Sequence, residues 1–163
     1  MQDLIEKYRK LRHQYSEYQE SASWYAYNAV VIILESSRDT GEAYILVGEQ
    51  YGNSANQDSA TILMEAWEDI IMQELLEDFE EARDNLMEEL SHGPYETKEE
   101  TQMLDALKLI CIVLATSPSV SRATDEMAIE FGMASNRSAR NIIGQAWGDL
   151  RALERTLWNQ KKS

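Results

Sequence analysis

Five carboxylates, Glu74, Glu77, Glu81, Asp84 and Glu88, recur at steps of 3, 4, 3 and 4. On an α-helix this spacing lines them up in a nearly straight acidic stripe. A stripe of solvated carboxylates attracts cations and can meet a basic surface. It is poorly suited to acid–base catalysis, which needs two groups whose surroundings push their pKa values apart. From Glu65 to Glu89 the chain holds eleven acids and one base, Arg83. At about 1.5 Å of rise per residue, that is one net charge per roughly 4 Å of helix axis. A single nucleic-acid strand carries about one per 3.4 Å, and a duplex about one per 1.7 Å. The stripe therefore comes close to one strand and falls well short of a duplex. Like charges three or four residues apart cost about 0.2–0.5 kcal/mol per pair, so the four successive pairs cost roughly 1–2 kcal/mol. No lysine is interleaved to relieve them. A local rule broken without compensation points to function, and the stripe reads either as a solvated face that keeps the protein soluble or as a face used by a partner.

Other chemistry is sparse. His13 and His92 are far apart, and Glu89-Leu-Ser-His92 has the Glu-x-x-His spacing of a di-iron bundle ligand pair. Such a centre needs that motif on two helices, and only one copy exists, so no metal is expected. No glycine-rich phosphate loop, Cys-x-x-Cys pair or nucleophile elbow is present, and no cofactor is expected. These absences favour a protein that is not an enzyme. Cys111, the single cysteine, lies within an apolar run and reads as a buried small hydrophobe. One cysteine excludes an internal disulfide and fits a reducing, cytoplasmic setting.

The elements that must hold the stripe are helical. Residues 58–90 contain neither Gly nor Pro, and Leu75, Phe79, Ala82, Leu86 and Leu90 recur at helical spacing, with Trp67 and Ile71 leading into them. This predicts one long helix over about 58–91, apolar on one flank and acidic on the other, ended by Gly93-Pro94. Residues 3–35 carry a heptad seam that includes Tyr8, Tyr15 and Tyr18. It predicts a second long helix with coiled-coil character and a tyrosine seam suited to internal packing, a dimer or a partner. Asp39 with Glu42, and Thr97 with Glu100, have capping-box spacing. The run 43–47 is short and apolar, and helix is favoured because no strand partner exists for it. Leu104, Leu107, Cys111 and Leu114 mark a central apolar helix, and Ala139, Ile143, Ala146, Leu150, Leu153 and Leu157 mark a third long helix over about 136–158.

The expected architecture is all-α: a bundle of five to six helices in a single domain over 1–163. The apolar runs are far too short to span a bilayer, and no membrane role is expected. The 163 residues carry a net charge of −14, so partners should be basic. The charge is uneven: residues 1–115 sum to −16 and residues 116–163 to +2.

The basic C-terminal segment carries one resemblance. Thr124 to Ile143 resembles a helix-turn-helix unit, with Ala128 and Gly132 at the Ala-x-x-x-Gly spacing, Ser135 as cap, and Arg137 and Arg140 where base and phosphate contacts would fall. The pattern departs where apolar residues are needed, at Ser138 and Asn141, and the following helix is long. The resemblance implies a subdomain over 116–160 and, as an alternative function, a DNA-binding regulator that uses Arg137 and Arg140. The composition favours another reading: an inhibitor or adaptor that docks Glu74, Glu77, Glu81, Asp84 and Glu88 on a basic protein surface. It is similar in composition to small acidic proteins that imitate nucleic acid and disarm host defence nucleases. A third reading is an oligomeric assembly subunit built from long helices.

Overall fold

The computed structural model describes residues 1–93 and 97–162. Seven α-helices and one short 3₁₀ turn account for the described structure, with no strand. The helices are α1 (Gln2–His13), α2 (Ala22–Ser36), α3 (Thr40–Gly52), α4 (Gln57–His92), α5 (Lys98–Thr116), α6 (Val120–Met133) and α7 (Arg137–Lys162). They fall into two compact units, Met1–Glu74 and Leu75–Ser163, with α4 contributing to each.

In the first unit the predicted helix over 3–35 is broken. A 3₁₀ turn at Ser16–Tyr18 separates α1 from α2, and the two helices pack side by side in opposite directions. Arg9 Nε donates to Glu35 Oε1 at 3.1 Å and Arg12 Nη1 to Asn28 Oδ1 at 2.8 Å, while the rings of Tyr15 and Tyr27 meet at 5.6 Å. These pairs fix the antiparallel order. No Gly or Pro makes the break. Ser21 accepts from the Trp24 amide and so starts a new helix. Folding back lets the apolar side of α1 bury against the same molecule, and an extended seam is not formed.

The short apolar run 43–47 lies inside α3. Asp39 Oδ1 caps it by accepting from the Glu42 amide at 2.8 Å, but Glu42 does not complete the box. Its carboxylate takes the Arg38 guanidinium at 2.9 Å instead. The α4 residues of this unit are walled in: Leu63, Ala66, Trp67, Ile70 and Ile71 are all buried. Each such large side chain stabilises the fold by about 1.5–3 kcal/mol relative to exposure. Trp67 stacks flat on Tyr44, with centroids 5.1 Å apart.

In the second unit the expected seams of α5 and α7 form. Leu104, Leu107, Cys111 and Leu114 are buried, as are Ile143, Ala146, Leu150 and Leu157. Thr97 caps α5, accepting from the Glu100 amide at 3.1 Å, and of the two candidate caps Ser135 and Asn136 it is Asn136 that caps α7, accepting from the Ala139 amide at 2.8 Å. Continuous i→i−4 bonding carries α7 beyond the predicted end near 158 to Lys162. Pro94, which the sequence assigns to the end of the long helix, lies outside the described residues; α4 itself ends at His92.

Candidate protein-interaction surface

The helix that carries the acidic stripe forms, yet its five carboxylates do not share one setting. Glu74 is half-buried in the first unit. Its carboxylate lies 3.8 Å from where a Cβ on Gly41 would stand, beside the first turn of α3. Burial first, and then the Glu74 charge, raise the pKa of Tyr44. The remaining four carboxylates, Glu77, Glu81, Asp84 and Glu88, belong to the second unit. Glu77 is half-buried, while Glu81, Asp84 and Glu88 are exposed. Arg83 reaches Asp84 at 3.0 Å and Glu80 at 3.8 Å. The hydrogen bond that Arg83 Nε donates to Asp84 Oδ1, ahead of the Asp84 charge, raises the pKa of Arg83. Glu88 meets only the imidazole of His92, at 4.0 Å, a charge pair only when that ring is protonated. Among the described residues, nothing in the chain engages Glu81. Exposed pairs of this kind are worth about 0–1 kcal/mol and leave the outward field largely intact.

The apolar flank of the same helix departs from expectation. Of Leu75, Phe79, Ala82, Leu86 and Leu90, only Phe79 is buried; Ala82 is exposed and the leucines are half-buried. Helical spacing places these residues on one side but does not say whether neighbouring helices close over them. In the second unit they do not. A cavity of about 450 Å³ lies open against this flank. Leu75, Phe79, Ala82 and Leu86 form one wall, Met103 and Leu107 of α5 and Ile142 of α7 the other. Asp78 and Glu89 of α4, and Asp149 of α7, stand at its edge. Partial burial of its carboxyl, and secondarily the charge of Asp78, raise the pKa of Asp149 above the usual carboxylate range. Two carboxylates facing one apolar groove thus hold each other's charge at a cost. The sequence reading missed Asp78, Glu89 and Asp149. The i, i+4, i+11 spacing of Asp78, Ala82 and Glu89 would have placed them on one edge, but Asp149 joins them only through the fold.

The tyrosine seam is divided. Tyr8 is 1% exposed, and its hydroxyl donates to Asp69 Oδ2 at 2.6 Å, an oxygen that also accepts from Lys7 Nζ at 2.6 Å. Burial, ahead of the Asp69 charge, raises its pKa far above that of a free phenol. Tyr15 packs on Tyr27, and only Tyr18 is left outward, at 65% exposure. Tyr8 and Tyr15 are therefore spent inside the first unit and do not line an outward seam.

In the helix-turn-helix segment, Gly132 lies within α6, which ends one residue later at Met133, and has no positive φ. Ala134 to Asn136 make the connection. Arg137 is exposed, and the Arg140 guanidinium lies over the Phe131 ring at 5.4 Å. Phe131 also packs on Trp147 at 5.4 Å and sits 3.1 Å from where a Cβ on Gly144 would fall. Gly144 thus allows α6 and α7 to approach closely.

Among the described residues, no three metal-ligating side chains come together, and no helix is long and apolar enough to cross a membrane. Compared with protein-family models, curated proteins and solved structures, the chain matches none.

Proposed function

We propose that this chain is a non-catalytic inhibitor or adaptor that docks the acidic flank of α4 on a basic surface of a partner protein. A groove built to hold nucleic acid, such as that of a defence nuclease, is the kind of surface that fits. The observation that carries this reading is the outward row of Glu81, Asp84 and Glu88, with Glu77 at its inner end, served by Arg83 as the one base within that row. The docking set is narrower than the stripe, because Glu74 turns toward α3. Charge at such a rim acts mainly on association rate and on the choice of partner. A reducing intracellular setting agrees with the buried, unpaired Cys111.

The test begins with a partner captured from native host extract at low salt and released at high salt. Its association with the purified chain is then timed against the triple variant Glu77→Lys, Glu81→Lys, Asp84→Lys. We expect association to slow by about tenfold or more at low ionic strength, with the difference shrinking as salt screens the field. Unchanged association at low salt overturns the reading. Capture of duplex DNA in place of protein, abolished by Arg137→Ala, would favour the DNA-binding alternative.

A further inference from the structure

The groove on the other flank of α4 has a chemistry of its own. Its walls are apolar, from Leu75, Phe79 and Leu86 on one side to Met103, Leu107 and Ile142 on the other. Its edge carries Asp78, Glu89 and Asp149, and no arginine or lysine lines it. No ion pair engages any of these three carboxylates among the described residues, and burial, with the charge of Asp78 second, makes the Asp149 carboxylate costly to keep ionised without a cation beside it. The missing counter-charge is thus a property of the groove. Leu75 and Glu89 are fourteen residues apart on α4, so the groove follows that helix for about 21 Å. That is the length of about four helical turns, which suits a helix laid in a groove. We infer that this groove binds an amphipathic helix of a partner protein, with apolar anchors at i, i+3, i+4 and i+7 and with Lys or Arg on its margins to meet Asp78, Glu89 and Asp149.

The apolar anchors would supply the burial that the groove residues lack inside their own unit. The margins would supply the cations. An acidic or neutral helix would leave Asp149 beside Asp78 with their repulsion uncompensated and further desolvated, which selects against it. This surface is distinct from the acidic flank proposed above, and either can fail while the other stands.

The test uses three labelled model peptides of about 14 residues, enough to span the groove at helical rise. One has leucine anchors with lysine margins, one has the same leucines with glutamate margins, and one has serines in place of leucines with lysine margins. Fluorescence anisotropy with the full chain at about 0.15 M ionic strength reads binding under partial screening. We expect saturable binding of the Leu/Lys peptide only. Ala82→Trp, which fills the groove from an exposed position, should weaken it by about tenfold or more, as should the pair Asp78→Asn, Asp149→Asn. Glu81→Lys with Glu88→Lys, on the opposite flank, should change it less than either. In the unaltered chain, methyl resonances of Leu75, Leu86, Met103 and Ile142 should shift on titration, a readout that needs no variant. Equal binding of the Ser/Lys or Leu/Glu peptide, or Leu/Lys binding lost only in the opposite-flank variant, overturns the inference. So does the absence of any methyl shift.

Discussion

Within Met1–Glu74, the large apolar residues of α4 are enclosed, and three nearby carboxylates are answered from within, although the Trp67 Nε1–H is buried without a partner. Asp69 is held by both Tyr8 and Lys7, Glu35 by Arg9 and Glu42 by Arg38. Within Leu75–Ser163, the residues of the same helix line an open groove on one flank and present carboxylates to water on the other. One secondary structure thus meets two treatments. The first unit closes over its stretch of α4, though Tyr25, Ile32 and Ile45 stay exposed on its other helices. The second leaves its stretch of α4 open on the apolar flank and acidic on the other. Since burying apolar surface contributes about 25 cal/mol per Å², leaving it open costs stability that a partner can restore. Both proposed surfaces, the acidic flank and the groove, lie on the second unit.

The contrast can be broken most directly by shaving α4 on each side of the division. Ile70 is 0% exposed, whereas Leu86 is a half-buried wall of the groove. Ile70→Ala should cost roughly 2–5 kcal/mol, as truncations in a closed core do. Leu86→Ala should cost less than about 1 kcal/mol, because little is there to collapse around it. Urea denaturation measures both. Equal losses would mean that the groove is as tightly packed as the core.

Glycines sharpen the same comparison at a smaller scale. A Cβ at Gly48, in the first unit, would meet the Trp67 indole at 3.4 Å, whereas one at Gly148, in α7, would meet nothing within 4 Å. Gly148→Ala should therefore gain about 0.5–1 kcal/mol from helix propensity. Gly48→Ala should gain less, because the new methyl presses on the indole. Thermal denaturation of the two variants tests the ordering.

The smallest effect should come from Asp149. Its pKa in the folded chain is raised, so the folded state holds a proton more tightly than the unfolded chain does. Ionisation at neutral pH then works against folding, and the penalty fades as pH falls through the raised value. Asp149→Asn should raise the denaturation midpoint slightly at about pH 7 and lose that advantage toward about pH 4, where a free carboxyl is itself half-protonated. A gain that persists at low pH would argue against the crowding of Asp149 by Asp78.

Much of this architecture could be read in the residues. The seams of α5 and α7 and the caps at Asp39 and Thr97 follow from spacing and side-chain chemistry, which act over a few residues. The break between α1 and α2 could not be read. No helix breaker marks it, and the gain from turning back comes from Tyr15 meeting Tyr27 and Arg9 meeting Glu35 across the turn. The candidate surface was half legible. The stripe at Glu81, Asp84 and Glu88 follows from periodicity alone. Glu74 looks equivalent by spacing, yet α3 stands beside it. The openness at Ala82 and Leu86 depends on how α5 and α7 pack against α4, and Asp149 reaches the groove only through that tertiary packing.

α1 packs on α2, α2 on α3, α5 on α6 and α6 on α7, all neighbours along the chain, and α5 also packs on α7, two helices on. Contacts between segments close in sequence demand little loop closure before they are rewarded, and such topologies reach their native arrangement quickly. Hairpins of this kind can also assemble in the order of synthesis, each pair completed soon after its second helix leaves the ribosome. For a chain with an open apolar groove that order matters, because the residues of each hairpin seam are hidden soon after synthesis and are not left to drive aggregation.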